Sequence, residues 1–419
     1  LTTHINNMDR LNQLSGQLKP TSKQSLTQKN PDDVVIVAAY RTAIGKGFKG
    51  SFKSVQSEFI LTEFLKEFIK KTGVDASLIE DVAIGNVLNQ AAGATEHRGA
   101  SLAAGIPYTA AFLAINRLCS SGLMAISDIA NKIKTGEIEC GLAGGIESMS
   151  KNYGSPKVIP KIDPHLADDE QMSKCLIPMG ITNENVANEF NIPREKQDAF
   201  AAKSYSKAEK AISSGAFKDE ILPIRSIIRS PDGSEKEIIV DTDEGPRKGV
   251  DAASLSKLKP AFGGTTTAGN ASQISDGAAG VLLMKRSLAE AKGYPIVAKY
   301  IACSTVGVPP EIMGVGPAYA IPEVLKRTGL TVDDVDVFEI NEAFAAQCLY
   351  SPGQRYVPEI KLNLNGGAIA LCHPLGCPGA RLYATILRLW KPGEIGWTSM
   401  CFGCGMGCAS HMDLGIGVL

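Results

Sequence analysis

Uninterrupted apolar runs alternate with helix-period segments at the start of the chain. The run DVVIVAAYRTAIG, 33–45, has the continuous apolar character of a strand that is buried on both faces. Residues 58–73 repeat apolar positions at helical spacing, and IEDVAIGNVLN, 79–89, predicts a second strand. The helical repeat places four side chains on one face: Leu61, Phe64, Leu65 and Phe68. Because a crossover helix joins parallel strands, this order predicts an α/β fold with a parallel sheet.

The same order returns in the second half of the chain. The apolar run YPIVAKYIACSTVG, 294–307, resembles the first strand, and DVDVFEIN, 334–341, resembles the second. In the two halves, Asn86 and Asn341 end corresponding strand-like runs. The second half therefore repeats the pattern of the first.

Two glycine pairs give the repeat a fixed spacing. Gly136 and Gly393 both begin the tripeptide Gly-Glu-Ile and lie 257 residues apart, as Gly122 and Gly379 also do. The equal spacing predicts two helices of equal length between them. Ordered matches at nearly one spacing predict two copies of one α/β unit.

Between the copies lies a polar insert with turn signals and one strong helical segment, REKQDAFAAKSYSKAEKAISSG. We expect it to close over a site rather than join the sheet. The predicted parts are a targeting leader at 1–31, an N-terminal core half at 32–149 plus 263–292, an inserted loop domain at 150–262 and a C-terminal core half at 293–419.

Composition excludes several classes of protein. Of 419 residues, 44% are hydrophobic and 21% charged, and the net charge of -1 gives no general attraction for nucleic acid. We find no apolar run of about 18 residues, so no transmembrane helix is predicted. The 10 cysteines are too few for a disulfide scaffold of this length, which favours reduced thiols in an intracellular compartment.

The leader contains RLNQLSGQL, which resembles an amino-terminal peroxisomal targeting signal. Its Arg10, Leu11, Gln17 and Leu18 carry the resemblance, and an import receptor would be the partner. The alternatives are a disordered leader with chance leucines and a mitochondrial presequence, which Asp9 and the scarcity of arginine disfavour.

Four reactive side chains follow strand-like runs: Cys119, Asn341, His373 and Cys401. Ligands bind at the carboxyl ends of strands in open α/β sheets, so we expect these loops to converge. Cys119 precedes a helix that is predicted to begin near Ser120 to Gly122. The positive end of that helix would favour a thiolate.

Each of these residues also has a simpler interpretation. An isolated cysteine such as Cys119 is more often a buried core residue, and a loop histidine is often structural. The glycine-rich loop around His373 favours a positioned base that takes the thiol proton. Cys401, Cys404, Cys408 and His411 also fit a short metal-binding spacing, but the preceding strand IGWTSM favours a catalytic cysteine and no metal.

Seven ordered motifs resemble the thiolase family across about residues 32–410: NRLCSSGLMA, GGIESMS, MGITNENVA, GTTTAGNASQISDGAA, INEAFAAQ, GGAIALCHPLG and CFGCGMG. The resemblance implies a five-layered α-β-α-β-α fold in a homodimer. It also implies thiolytic cleavage of 3-ketoacyl-CoA in peroxisomal β-oxidation. CoA would be a co-substrate, and no cofactor would be permanently bound.

The resemblance also implies roles for individual residues. Cys119 would be the nucleophile, Cys401 the acid and base, and His373 the activator of Cys119. His373 and a water held by Asn341 would form one oxyanion hole, and the backbone N–H groups of Cys119 and Gly403 the other.

The inserted domain would bind CoA. The implied contacts to CoA are Arg247, Ser254, Ala268 and Ser272, and the implied acyl-pocket residues are Met179, Met313 and Phe344. For the last three, plain core packing is an almost equal alternative.

Several positions depart from the family pattern. Cys372 replaces a glycine and would disturb the histidine loop if its φ is positive, and Pro378 replaces Ser or Thr. Cys404 and Cys408 replace small or polar residues, and the last strand is less apolar. These departures leave a non-catalytic CoA- or lipid-binding module as one alternative. A biosynthetic acetoacetyl-CoA thiolase is the other. Cys401, in the sequence Cys-Phe-Gly, disfavours a carrier-protein-dependent ketosynthase.

Overall fold

The fold was analysed in a computed structural model that describes residues 26–155, 162–350, 357–389 and 393–413. The proposed targeting residues Arg10, Leu11, Gln17 and Leu18 lie outside the described residues. No described helix is both long and apolar enough to cross a membrane.

The described strands are β1 Val34–Arg41, β2 Gly45–Lys46, β3 Asp81–Gly85, β4 Ala111–Ile115, β5 Cys140–Ser148, β6 Ile224–Arg229, β7 Glu235–Val240, β8 Ser275–Lys285, β9 Ala298–Gly307, β10 Val337–Ile340, β11 Ile395–Phe402 and β12 Met406–Asp413. The described α-helices are α1 Ser57–Thr72, α2 Ala94–Ala103, α3 Ser121–Thr135, α4 Met149–Asn152, α5 Glu170–Cys175, α6 Met179–Glu189, α7 Arg194–Ser214, α8 Ala252–Ser256, α9 Arg286–Lys292, α10 Gly316–Thr328, α11 Ala345–Tyr350, α12 Ala368–Leu371 and α13 Pro378–Ile386.

The strand order reflects the duplication. The strands lie in the order β10-β11-β12-β9-β1-β8-β5-β3-β4. Counted outward from the β9–β1 junction, β9, β12, β11 and β10 of the second half correspond to β1, β8, β5 and β3 of the first half. The junction is short, pairing Val35 with Lys299 and Ile36 with Ala298. The duplication predicted from the repeated motifs is confirmed in this order.

The expected parallel sheet is wrong for most strand pairs. β3 runs parallel to β4 and β5, and β10 runs parallel to β11. β8 and β12, however, enter antiparallel beside β5 and β11. The βαβ pattern predicts the direction only of strands that a crossover helix joins. β8 follows the long insert and β12 follows a tight turn, so the pattern does not predict their direction.

Helices cover both faces of each half. α1 packs on one face of the first-half strands, and α10 packs on the outer face of β9, β11 and β12. α3 and α13 lie between the halves and share one apolar cluster with strands of both. The layers therefore follow the order helix, strand, helix, strand, helix, as the resemblance implied.

The two predicted equivalent glycines lie where α3 crosses α13. A Cβ on Gly122 would be 2.8 Å from the carbonyl oxygen of Gly376, and one on Gly379 would be 2.2 Å from the backbone N of Leu123. The glycines thus permit the backbones to touch. The prediction of equal helices is wrong, because α3 has 15 residues and α13 has 9. The chain after α13 closes with i→i−3 hydrogen bonds at Arg388 and Leu389.

We expect Gly379→Ala to destabilise the fold. The new methyl would overlap Leu123 and force the central helices apart, lowering the free energy of unfolding by about 2–4 kcal/mol. Gly99→Ala in α2 is the matched control, since its Cβ would meet no atom within 4 Å. The control should gain roughly 0.5–1 kcal/mol from helix propensity. Thermal unfolding compares the two, and equal midpoints would contradict the close crossing.

The insert packs on the first half of this core, with β6 against α1. Its predicted helix is α7, and the SPDG turn joins β6 to β7 in a separate two-stranded sheet. Arg41 at the end of β1 anchors the insert through buried ion pairs of 2.6 Å with Glu220 and 2.7 Å with Asp243. The segment leading to Arg247 is thereby fixed to the core.

Candidate active site

The Cys119 loop makes a sharp turn between β4 and α3. Leu118 has φ of 50°, in the left-handed region that non-glycine residues seldom adopt. The Ser121 hydroxyl accepts the N–H of Arg117 at 2.9 Å and donates to the Leu118 carbonyl at 2.6 Å, which closes the turn. α3 begins at Ser121, as predicted. The turn presents Cys119, which is half-buried, at the carboxyl end of the sheet.

The Cys119 sulfur lies against the loop that joins β11 to β12. The backbone N–H groups of Cys119 itself and of Gly403 lie beside the sulfur, where they lower the pKa of the thiol. This thiol also interacts electrostatically with the Cys401 thiol. The structure therefore brings Cys119, Cys401 and Gly403 together, with two backbone N–H groups beside the Cys119 sulfur.

The helix end alone does not decide the protonation of Cys119. Burial raises the pKa of Cys119 to about 12, and the negative charge of Glu147 acts in the same direction. The N–H groups of Cys119 and Gly403 lower it by less. Loss of hydration therefore outweighs the helix end, which the sequence could not show because it does not report burial.

His373 and Asn341 form the second contact pair. His373 Nε2 lies 3.4 Å from Asn341 Nδ2, and both side chains are buried. His373 Nδ1 has no hydrogen-bond partner in the described part of the chain. Burial lowers the pKa of His373 to about 4, so the ring is neutral at pH 7 and able to take a proton.

Cys348 connects the two contact pairs. Its thiol donates to the Asn341 carbonyl at 3.7 Å and interacts electrostatically with Cys401. The backbone N–H of Asn341 also donates to the Ser399 carbonyl of β11 at 2.9 Å.

His373 follows the short helix α12 rather than a strand, so the expected strand end is wrong for this residue. A short parallel bridge between Phe338 and Leu362 replaces the full strand that β4 supplies in the first half.

The three predicted acyl-pocket residues surround Cys401. Met313 and Cys401 belong to one buried apolar cluster, against which Met179 and Phe344 pack. The Met179 sulfur lies 3.4 Å from the position that a Cβ on Gly403 would occupy. These side chains therefore line an apolar wall beside both cysteines.

Two of the predicted CoA contacts lie next to the catalytic loops. The Arg247 guanidinium, which is exposed, donates to Gln273 Oε1 at 3.4 Å, and the Gln273 carbonyl accepts the N–H of His373 at 3.3 Å. The N–H of Ser272 donates to the Ala343 carbonyl at 2.9 Å, directly before Phe344. Hydrogen bonds therefore link these two positions to the segments that carry His373 and Phe344.

The other two predicted CoA contacts are more distant in the hydrogen-bond network. The Ser254 hydroxyl and Asp251 form a capping box that begins α8. Ala268 lies in an exposed turn. Among the described residues, neither hydrogen-bonds to Cys119, Asn341, His373 or Cys401. Contact with CoA at these two positions stays a prediction.

Two buried glutamates hold the His373 loop: Glu342, which lies in the INEAFAAQ motif, and Glu147, which sequence reasoning missed. Glu342 accepts hydrogen bonds from Ile369 N–H at 3.3 Å and from Ser204 Oγ at 2.6 Å. Glu147 accepts the N–H of Gly376 at 3.1 Å. Burial raises the pKa of Glu147 to about 7, against the opposing effect of its hydrogen-bond donors. A glutamate directly after an apolar run was the available signal, since a buried carboxylate needs partners.

Cys372 occupies a conformation that glycine normally supplies. Its φ is 73° and its ψ is 173°, a region in which a side chain is strained. The sulfur packs on Gly245, where an added Cβ would be 2.5 Å away. The φ of Cys372 is thus positive, as the expected disturbance of the histidine loop required, but His373 still contacts Asn341. Pro378 is well placed, because it lies in the first turn of α13.

The four residues with metal-like spacing lie along the β11–β12 hairpin. Cys401 and Cys408 are buried, whereas Cys404 is exposed in the turn. His411 packs on Trp397, with ring centroids 5.7 Å apart. Within the described ranges, no three His, Cys, Asp or Glu side chains are grouped to hold a metal ion.

The resting thiol at Cys119 can be tested by alkylation. We expect the rate of carbamidomethylation by iodoacetamide to rise with pH without levelling off below about pH 9, because the reactive thiolate stays a minor species. Peptide mapping at each pH assigns the rate to Cys119. A plateau below about pH 8 would instead show a preformed thiolate.

Comparisons with known proteins agree with this geometry. Residues 34–287 match the thiolase N-terminal domain and residues 294–413 match the thiolase C-terminal domain. The chain is similar to peroxisomal 3-ketoacyl-CoA thiolase A of Candida tropicalis, with 83% identity over 96% of this chain and 99% of that protein.

Solved structures give the same result. The dimeric peroxisomal thiolase of Saccharomyces cerevisiae has a TM-score of 0.88 and 58% identity, covering 94% of this chain and 100% of that one. A second structure of the yeast enzyme is described as five-layered, with two core domains of identical topology. It has a TM-score of 0.78 and 52% identity, covering 94% of this chain and 100% of that one.

Proposed function

This chain belongs to the thiolase family, and we propose that Cys119, His373 and Cys401 are its catalytic residues. It is an acyltransferase of peroxisomal fatty-acid β-oxidation, which cleaves 3-ketoacyl-CoA with CoA to acetyl-CoA and a shortened acyl-CoA. The supporting observation is the Cys119 sulfur, which lies against Cys401 and the Gly403 N–H beside an apolar wall.

The first half-reaction breaks a carbon–carbon bond. The Cys119 sulfur attacks the 3-keto carbon while its proton passes to neutral His373. The bond between C2 and C3 then breaks, and its electron pair forms the enolate of acetyl-CoA. Cys401 donates its proton to C2. Burial and the neighbouring Cys119 thiol raise the pKa of Cys401, which keeps that proton in place until the carbanion forms.

The second half-reaction transfers the acyl group. The Cys401 thiolate takes the proton of incoming CoA, whose sulfur attacks the acyl-Cys119 thioester. Cys119 leaves and recovers its proton from His373. The N–H groups of Cys119 and Gly403 would stabilise one oxyanion, and His373 with Asn341 the other.

CoA is the proposed co-substrate, and no permanently bound cofactor enters these steps. Arg247 would meet the phosphate-bearing end of CoA, since its guanidinium is exposed on the segment beside the His373 loop. Met179, Met313 and Phe344 would contact the acyl chain.

Turnover of a medium-chain 3-ketoacyl-CoA tests the proposal. We expect CoA-dependent loss of substrate with formation of acetyl-CoA and a shortened acyl-CoA. Tight CoA binding without turnover would favour a binding module. Turnover of acetoacetyl-CoA alone would favour the biosynthetic alternative.

We propose that the chain is a homodimer that pairs through β4. This strand ends the described sheet order, and Leu113 on it is 37% exposed. Apolar side chains on a free edge strand favour pairing with another chain. We expect Leu113→Lys to shift the sedimenting mass towards the monomer, whereas Ile239→Lys on the separate β7 should not. A wild-type monomer would contradict the proposal.

We also propose that the leader binds a peroxisomal import receptor through Arg10, Leu11, Gln17 and Leu18. A fluorescent reporter carrying residues 1–31 should enter peroxisomes. Leu11→Asp together with Leu18→Asp should leave it in the cytosol, because two of the four residues that carry the resemblance to the targeting signal are lost. Import of the double variant would contradict the assignment.

A further inference from the structure

A pair of cysteines lies beside the catalytic group without belonging to it. Cys175 is the last residue of α5 in the insert, and Cys404 lies in the turn between β11 and β12. The Cys404 sulfur is 3.6 Å from the Cys175 carbonyl oxygen, although 229 residues separate them in sequence. Cys404 is exposed, Cys175 is half-buried, and both are free thiols. Oxidants in solution therefore reach the pair.

An ion pair holds α5 to a neighbouring segment. Lys174 forms an ion pair of 3.3 Å with Glu311, on the segment that leads into α10. Partial burial raises the pKa of Cys404, and the neighbouring Cys175 thiol raises it further. The two side chains therefore already adjoin in the reduced protein, as the partners of a disulfide bond must.

We infer that Cys175 and Cys404 are an oxidative modification site, at which the two thiols join in a reversible disulfide bond. With a small disulfide such as oxidised glutathione, the Cys404 thiolate attacks one sulfur and releases one glutathione. The Cys175 thiolate then attacks the Cys404 sulfur of the mixed disulfide and releases the second glutathione. Two protein thiols are oxidised, glutathione disulfide is reduced, and the two protons pass to the released thiols.

The bond would tie two walls of the substrate path. Cys404 follows Gly403, whose N–H faces the Cys119 sulfur. Met179, four residues after Cys175, packs on Gly403 from the insert. A covalent link would fix the insert against the catalytic loop and restrict entry of the acyl chain. This kinetic consequence rests on the proposed thiolase function, whereas formation of the bond does not.

Peptide mapping without reductant tests the bond in the full chain. After treatment with oxidised glutathione, wild type and the control Cys303→Ser should give a Cys175–Cys404 linked peptide. Cys175→Ser and Cys404→Ser should instead give a glutathione adduct on the remaining thiol. Glutathionylated Cys404 in wild type without the link would overturn the inference, as would a link from either thiol to Cys119.

Activity tests the consequence. We expect oxidation to lower kcat/KM of wild type for a medium-chain 3-ketoacyl-CoA by about fivefold or more, with full recovery in dithiothreitol. Cys175→Ser should keep its activity under the same treatment. Equal losses in wild type and Cys175→Ser would overturn the kinetic effect, because the loss would then not depend on the Cys175–Cys404 bond.

Discussion

Cys119→Ala is expected to abolish acyl-enzyme formation and to lower turnover by on the order of 10⁴-fold or more. The variant retains the backbone N–H groups and Cys401, but it has no atom that can form the thioester. Because Cys119 is half-buried and the change is small, the fold should persist. The largest effect in the molecule should therefore come without loss of structure.

The measurement is intact-mass spectrometry after mixing with a medium-chain 3-ketoacyl-CoA in the absence of added CoA. Wild type should carry one acyl group on the Cys119 peptide, which disappears when CoA is supplied. Cys303→Ala is the matched control, since Cys303 is also a half-buried thiol but lies in β9. An acyl adduct on another cysteine of Cys119→Ala would transfer the nucleophile assignment.

The sequence predicted the parts of the fold that repeat. Gly122 and Gly379 were matched by spacing alone, and both lie at the crossing of α3 and α13. Local pattern could not show that β8 and β12 run antiparallel, because strand direction depends on connections through the insert and the hairpin turn. The repeat thus indicated which elements correspond but not how all of them pair.

The site was predictable in residue types and less so in electrostatics. Cys119, Cys401 and Gly403 meet as the motifs implied, but the helix end did not produce a thiolate. Burial sets that pKa, and burial arises from contacts distant in sequence. Glu147 was missed for the same reason, since its hydrogen bond to Gly376 spans 229 residues. Such supporting contacts are visible only in the folded chain.

Cys372 shows how a local departure is tolerated. Its positive φ is costly for any side chain, by about 1–3 kcal/mol. The loop nevertheless keeps its place because Glu342 and Glu147 hold it on both sides of His373. The strain therefore remains at one residue, while the histidine still reaches Asn341.

Cys401→Ala should separate the two half-reactions. Carbon–carbon cleavage needs a proton on the enolate, so its rate should fall by about 10³-fold when the acid is removed. Acylation of Cys119 by a simple acyl-CoA releases a thiolate, which is a far weaker base than a carbanion. That step should therefore fall by only about tenfold. The same variant is thus expected to lose about a hundredfold more of its cleavage rate than of its acylation rate.

Paired rates of 3-ketoacyl-CoA cleavage and of Cys119 acylation by the matching acyl-CoA provide the measurement. Cys404→Ala, in reductant, is the matched control on the same turn, since its side chain is exposed and is not part of the buried cluster around Cys401. Equal losses of both rates in Cys401→Ala would indicate that Cys401 only shapes the pocket. If Cys401→Ala keeps both rates, Cys348 becomes the candidate acid, because this buried thiol interacts with Cys401 and donates to the Asn341 carbonyl. The ratio of the two rates therefore decides whether Cys401 is the acid, since packing alone would not distinguish a carbanion from a thiolate.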